Sequence, residues 1–261
     1  MTCHTVVDLA HRVQGSGPPL LVLHGLFGSG TNWRAVARRL SDRFCTYTLD
    51  LRNHGDSPHA AEMNYPCMVA DVSAFMRREG LATARIIGHS MGGKVAMLLA
   101  LTQPELVHRL LVVDIAPVAY AHDHTEMVDA MLDMELGRVQ RRGDADALLA
   151  DSITDPGLRA FLLQNLVAEE RSYRWRINLP AIRTNMAALL GFPEQEHAGN
   201  FSAPVLFLRG GRSDYIQPRD HDRLHALFPD AGIETVAGAG HWVHAEAPDA
   251  FLAAAGGFLE G

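Results

Sequence analysis

The sequence predicts an α/β fold, in which a mostly parallel central sheet is flanked by helices and interrupted by a helical insertion. Strand, turn and helix patterns alternate along most of the 261 residues, and such alternation builds a parallel sheet with helices on its faces. Residues 20–23 form a short, unbroken apolar run, as expected for a strand that is buried on both sides. From about Pro117 to Gly199 the alternation stops and apolar residues recur at helical spacing. We therefore interpret this stretch as an insertion into one domain.

The first part of the chain gives the clearest element patterns. Residues 5–13 and 19–24 are predicted strands, and the glycine-containing turn at 15–18 separates them. Residues 65–78 show the spacing of an amphipathic helix. The other elements predicted here are helices over 32–40 and 91–101 and strands over 44–49, 85–87 and 110–115.

The insertion and the last part of the chain complete the prediction. Met127, Met131 and Met134 recur at helical spacing within the insertion, and no stretch of it has a convincing strand pattern. Alternation then resumes, with predicted strands over 205–208 and 233–236 and helices over 220–228 and from Pro248. The predicted domains are therefore a core made of residues 1–117 and 200–261, and an inserted segment made of residues 118–199.

Composition excludes several classes of protein. The chain has 23 basic and 30 acidic side chains, a formal net charge of −7, which argues against a nucleic-acid partner because phosphate binding needs clustered Lys and Arg. Cys3, Cys45 and Cys67 are odd in number and widely spaced, which favours a reducing compartment, and we expect a cytoplasmic protein. The first ten residues lack a signal-peptide pattern, and no stretch approaches 18 apolar residues, so no membrane partner is expected.

Residues 88–93 (GHSMGG) carry the strongest chemical signal. They follow a predicted strand directly and precede a predicted helix directly, and in that position a G-x-S-x-G pattern predicts a nucleophile elbow. The sharp turn projects the hydroxyl of Ser90 above the sheet, while Gly88 and Gly92 leave room where a Cβ would collide with neighbouring elements. We expect Ser90 to be a nucleophile.

A serine hydroxyl needs a base and an acid that orients the base. His241 lies in a loop of small residues after the last predicted strand, 151 residues beyond Ser90, and is the candidate base. Asp114 and Asp214 both follow predicted strands, so both carboxylates are expected at the same edge of the sheet. The chain order serine, aspartate, histidine allows either aspartate to be the acid.

The oxyanion of an acyl-transfer reaction needs two backbone donors. The N–H of Met91, the residue after the nucleophile, is one candidate. The other is expected in the glycine-rich loop at 24–28 (HGLFG), with Leu26 as the first choice and Phe27 as the second.

The sequence resembles the α/β-hydrolase superfamily over nearly its whole length. Residues 24–28 are similar to its oxyanion loop, 50–57 (DLRNHGDS) to its D-x-R-x-x-G-x-S turn, 88–93 to its elbow and 238–242 to its histidine loop. Within the superfamily, the sequence most resembles small bacterial carboxylesterases of the abhydrolase type. That likeness rests on residues 114–117 (DIAP), 173–178 (YRWRIN), 210–213 (GGRS) and Tyr215.

The resemblance implies an esterase with an α/β-hydrolase fold, a helical cap formed by the insertion and no cofactor. Its expected partners are a small-molecule ester and water, and a homodimer is possible. The superfamily at large places the acid after the seventh strand, which corresponds to Asp214, whereas the esterase branch uses the aspartate of the DIAP motif, which corresponds to Asp114. We name Asp114 first and keep Asp214. A serine at the elbow sets the chain apart from haloalkane dehalogenases and epoxide hydrolases, which use a carboxylate there.

The remaining candidates concern the pocket and the rival functions. We expect His24, Trp175, Tyr215 and Trp242 to line the substrate pocket, with core packing as the equal alternative for Trp175. His122 and His124 resemble a metal pair but lack a third ligand, so no metal site is predicted. A carbon–carbon hydrolase or lyase on the same triad would need a cationic clamp, which Arg174, Arg176 or Arg183 would supply, and a non-catalytic small-molecule receptor is the other alternative.

Overall fold

A computed structural model describes residues 5–121, 124–170, 172–193 and 199–261. Of the histidine pair at 122 and 124, only His124 is among the described residues, and Cys3 lies outside them. The strands of the main sheet are β1 (His11–Gln14), β2 (Pro19–Leu23), β3 (Cys45–Leu49), β4 (Ala84–His89), β5 (Val107–Val113), β8 (Val205–Gly210) and β9 (Gly232–Val236), and a separate pair comprises β6 (Leu166–Ala168) and β7 (Tyr173–Trp175).

The main sheet has the strand order β1-β3-β2-β4-β5-β8-β9. All neighbouring strands run parallel except β1, which pairs antiparallel with β3. This architecture confirms the predicted α/β class. The carboxyl ends of β2, β4, β5 and β8 meet at one edge, where the loops that follow them come together.

Helices cover both faces of the sheet, so the central strands have no solvent-facing side. Alternate residues of β2 enter different cores: Leu21 and Leu23 belong to one, and Leu20 and Val22 to the other. This is the burial on both sides that the apolar run predicts. The helices are α1 (Arg34–Leu40), α2 (Tyr65–Arg78), α3 (Met91–Thr102), α4 (Thr125–Leu132), α5 (Arg142–Leu149), α6 (Pro156–Leu162), α7 (Leu179–Thr184), α8 (Met186–Leu190), α9 (His221–Leu227), α10 (Val243–Glu246) and α11 (Pro248–Glu260).

The first predicted strand is shorter than expected, because only the last part of it joins the sheet. The backbone N–H of Val7 donates to the carboxylate of Asp71, and that of Ala10 donates to the hydroxyl of Ser57. These side-chain acceptors take the place of a neighbouring strand, so the ladder with β3 begins only at His11.

The insertion is mainly helical but contains a strand pair that the sequence analysis did not predict. Between β5 and β8 lie α4 to α8 and the antiparallel pair β6–β7, in which Leu166 faces Trp175. Each of these strands has three residues, too few for an alternating pattern to stand out from the helical spacing around it.

Candidate active site

The elbow begins where β4 ends. Ser90 lies between β4 and α3 with φ 51° and ψ −118°, a left-handed backbone that side-chain-bearing residues seldom adopt and that is often found at functional sites. A Cβ on Gly92 would lie 2.4 Å from the carbonyl oxygen of Leu23, and one on Gly88 would lie 2.5 Å from that of Gly92. Both glycines are therefore required by close packing of α3 against β2 and β4.

His241 and Asp114 are joined by a short hydrogen bond. The Nδ1 of His241 donates to Oδ2 of Asp114 over 2.7 Å. The side chain of Asp114 is fully buried, whereas that of His241 is 19% exposed. This bond fixes the tautomer that leaves Nε2 of His241 without a proton, as a general base requires.

Asp114 sits on a second left-handed turn, at the end of β5. Its φ is 52°, so β5 ends at Val113 rather than continuing to Ile115 as the sequence predicted. Besides His241, the carboxylate accepts from the backbone N–H of Gly210 at 2.8 Å and from the hydroxyl of Ser213. These bonds hold the buried carboxylate in one orientation.

Asp214 has different surroundings. It is exposed, and its carboxylate accepts from the side-chain amide of Gln217 at 3.2 Å. Of the two candidate acids, Asp114 is the one that the structure places in hydrogen-bond contact with His241.

Aromatic and histidine rings hold the imidazole of His241 in place. The ring of Tyr215 stacks on it with centroids 4.0 Å apart. Behind it, Nε2 of His89 donates to the backbone carbonyl of His241 over 2.9 Å. Burial keeps the pKa of His89 well below its ordinary value, so His89 is neutral at pH 7 and positions the loop of His241 without adding a charge.

The glycine-rich loop at 24–28, the candidate oxyanion loop, follows β2. Within the described chain, the backbone N–H groups of Leu26 and Met91 have no acceptor, and both residues border Ser90 in a small cavity. The N–H of Phe27 instead donates to Nε2 of His54 over 3.2 Å. Phe27, the second choice of the sequence analysis, therefore has its donor occupied, and its φ of 63° bends the loop.

Two buried histidines brace this loop. His24 donates from Nδ1 to the carbonyl of Gly25 at 2.8 Å and accepts from the N–H of Leu51 at Nε2. His54 donates from Nδ1 to the carbonyl of Arg52. Burial lowers the pKa of His24 to about 4 and that of His54 to about 3. Both are therefore neutral at pH 7, so each ring offers one donor and one acceptor.

A cavity of about 240 Å³ has Ser90 and His241 in its wall. Three of the four predicted pocket residues, His24, Tyr215 and Trp242, line it. Trp175 does not line it: its indole N–H donates to the carbonyl of Met131 over 2.9 Å, which ties β7 to α4. Phe161 of the insertion also lies in this wall, where its ring faces Trp242 with centroids 5.5 Å apart.

The three arginines proposed as a clamp have partners elsewhere. Arg174 pairs with Glu169 at 2.8 Å, Arg183 pairs with Asp129 at 2.6 Å and Arg176 lies 3.7 Å from Asp56. Within the described part of the chain, none of the three lines the cavity that contains Ser90.

The sequence analysis assigned no role to two further residues around the site, Ser213 beside Asp114 and Lys94 beside Ser90. Ser213 precedes Asp214 in the chain, but its hydroxyl bonds to Asp114. The sequence does not show this contact, because it joins residues that are distant along the chain. Lys94 lies one helical turn beyond Ser90. The sequence alone could have drawn attention to it, because it is the sole lysine of the chain, beside 22 arginines. Its side chain is buried, and burial lowers its pKa to about 7.

The sequence profile of the family described as alpha/beta hydrolase fold matches residues 18–248. The chain therefore belongs to the α/β-hydrolase family. A solved structure described as a marine microorganism esterase superposes with a TM-score of 0.94 at 39% identity, covering 97% of this chain and all of the other.

Curated relatives are similar in length and sequence. The chain is 42% identical over 266 residues to the sn-1-specific diacylglycerol lipase ABHD11 of Xenopus laevis, covering 98% of this chain and 85% of the relative. It is 37% identical over 242 residues to Esterase YbfF of Escherichia coli, covering 92% of each. Among the described residues, no helix has both the length and the apolar character needed to cross a membrane.

Proposed function

We propose that this chain is a serine carboxylesterase that cleaves small to medium carboxylic esters through an acyl-enzyme on Ser90. The observation that carries the proposal is the buried carboxylate of Asp114 bonded to Nδ1 of His241, with Ser90 on a strained elbow in the wall of the same cavity. The esterase and lipase names of the relatives support the same reaction class.

The geometry supports a two-step acyl transfer. Nε2 of His241 takes the proton of the Ser90 hydroxyl as Oγ attacks the ester carbonyl, and Asp114 stabilises the imidazolium that forms. The N–H groups of Leu26 and Met91 stabilise the oxyanion. The C–O bond to the alcohol breaks as His241 donates its proton to the leaving oxygen. A water molecule then attacks the acyl-enzyme, with His241 again accepting and returning the proton, and the carboxylic acid leaves.

Residues 118–199 act as a cap over this site. Met127 and Phe161 of the insertion line the cavity that contains Ser90, and the side-chain amide of Asn165 donates to the carbonyl of Phe27 over 2.8 Å. The cap therefore supplies apolar wall to the pocket and contacts the oxyanion loop directly. A cytoplasmic location and a homodimer stay predictions of the sequence.

A serine-directed probe tests the proposal. We expect a fluorophosphonate to label the folded wild-type protein and to leave Ser90→Ala unlabelled, because the phosphorus is attacked only by an activated hydroxyl. The same variant should lose roughly 10⁴- to 10⁶-fold in kcat on p-nitrophenyl acetate. A folded wild-type protein that neither reacts with the probe nor turns over esters would instead be the small-molecule receptor.

A further inference from the structure

Two cavities meet at Ser90, and they differ in which catalytic groups they contain. The larger, of about 240 Å³, has His241 in its wall. The smaller, of about 40 Å³, has Met91 in its wall and does not have His241 there. Ser90, Leu26, His124 and Tyr215 border both.

The position of the general acid decides which part of an ester enters which cavity. The proposed mechanism, on which this inference rests, requires His241 to protonate the oxygen of the departing alcohol. That oxygen must lie on the side of the imidazole, while the oxyanion points to Leu26 and Met91. The alcohol therefore extends into the larger cavity, and the remaining substituent of the carbonyl carbon, the acyl chain, extends into the smaller one.

We propose that the 40 Å³ cavity is the acyl subsite of this enzyme, and that it restricts the substrate to esters of short acids of two to four carbons with bulkier alcohols. A water-sized group takes roughly 10–15 Å³ of such space, so the cavity holds about three groups beyond the carbonyl. Its walls include the buried side chains of Met186 and Leu189 from the cap and Ile115 from the core, which suit an alkyl chain.

Lys94 lines this cavity and anchors part of its wall. Its ammonium donates to the carbonyls of Leu190 at 2.9 Å and Gly191 at 2.6 Å and lies 4.7 Å from the ring centroid of Tyr120. These contacts tie the carboxyl end of α8 to α3. Breaking these contacts would leave polar groups buried without partners, so Lys94 is a positioning residue that holds α8 in the wall of the cavity.

A chain-length series measures the cut-off. On p-nitrophenyl esters we expect similar kcat/KM for acetate, propionate and butyrate, and a fall of about 10- to 200-fold at hexanoate, the usual effect of a methylene group that a pocket does not accommodate. With the acyl group held as acetate, 1-naphthyl acetate should remain a good substrate because the alcohol lies in the larger cavity.

Matched variants test which cavity sets the limit. Met186→Ala enlarges the smaller cavity and should raise the hexanoate-to-acetate ratio by about tenfold or more, whereas Phe161→Ala, which enlarges only the larger cavity, should leave that ratio within about twofold. Leu189→Ala serves the same purpose if Met186→Ala does not fold. If kcat/KM for hexanoate equalled that for acetate, the proposal of an acyl subsite would be overturned and the proposed esterase function would stand. If the folded wild-type protein showed neither ester turnover nor fluorophosphonate labelling, the proposed esterase function itself would be overturned.

Discussion

At the scale of single residues, the two aspartates at the edge of the sheet differ in what their carboxylates contact. Asp114 is buried and bonded to His241, while Asp214 is exposed and bonded to Gln217. We expect Asp114→Asn to lower kcat by about 10⁴-fold, because an amide does not select the imidazole tautomer that leaves Nε2 free. Asp214→Asn should change kcat by less than about threefold, the usual result for an exposed site.

The comparison is made at saturating p-nitrophenyl acetate, with circular dichroism to show that both variants fold. A larger loss for Asp214→Asn than for Asp114→Asn would contradict the assignment. Equal small losses would show that neither carboxylate orients the base.

The choice between these aspartates illustrates what spacing along the chain can predict at this scale. Each follows a strand, so the sequence places both at one edge of the sheet. Which carboxylate reaches His241 depends on the left-handed turn at Asp114 and on the hydroxyl of Ser213. Those are tertiary contacts, and no pattern of residue types encodes the distance between them.

At the scale of elements, the elbow is a packing junction as well as the turn that carries Ser90. A methyl group on Gly92 would meet the backbone of β2, which cannot move aside without disturbing the sheet. We expect Gly92→Ala to lower the free energy of unfolding by about 1–3 kcal/mol or more, the usual cost of overpacking. Urea unfolding followed by tryptophan fluorescence measures it.

Gly143→Ala is the matched control for this substitution. Gly143 is exposed in α5, and a Cβ there would have no neighbour within 4 Å. The variant should be unchanged or more stable by up to about 1 kcal/mol, because alanine loses less backbone entropy in a helix. If both variants were equally stable, the close approach of α3 and β2 would not be the reason for glycine at position 92.

Element length explains which parts of the fold were predictable. The pattern of residues 65–78 coincides with α2, because fourteen residues give four turns of amphipathic spacing. The three-residue strands β6 and β7 give no such signal. In their pairing, Trp175 lies opposite Leu166 and its indole N–H donates to the carbonyl of Met131 in α4, which is the packing alternative and not the pocket position.

At the scale of the whole molecule, neutral buried histidines make stability depend on pH. Burial lowers the pKa of His24 to about 4, of His54 and His244 to about 3, and of His89 well below its ordinary value. The unfolded chain, with histidine pKa values near 6.5, therefore takes up protons that the folded chain does not. Stability is fully present above pH 6.5 and falls as the pH drops from there towards 4 and 3.

The expected steepness tests this explanation. Each such histidine lowers stability by at most about 1.4 kcal/mol per pH unit in this window. His244 stacks on Trp33 with ring centroids 3.9 Å apart, and His244→Phe keeps a ring in that place. The variant should take up about one proton fewer on unfolding, which lowers the slope of the unfolding free energy against pH. His225→Gln, at an exposed position, should leave the slope unchanged. An identical slope in all three proteins would refute the prediction.

Lys94 also makes it possible to follow the packing of α8 on α3 by chemical modification. Since it is the sole lysine in the sequence, it provides the one side-chain primary amine among 261 residues, and that amine is covered by the end of α8. An amine-selective reagent therefore finds no competing side chain on the surface. The rate at which Lys94 is acylated, read by mass spectrometry of the peptide that contains it and so separated from the reaction of the α-amino group, would report how often α8 separates from α3 in solution, without any introduced label.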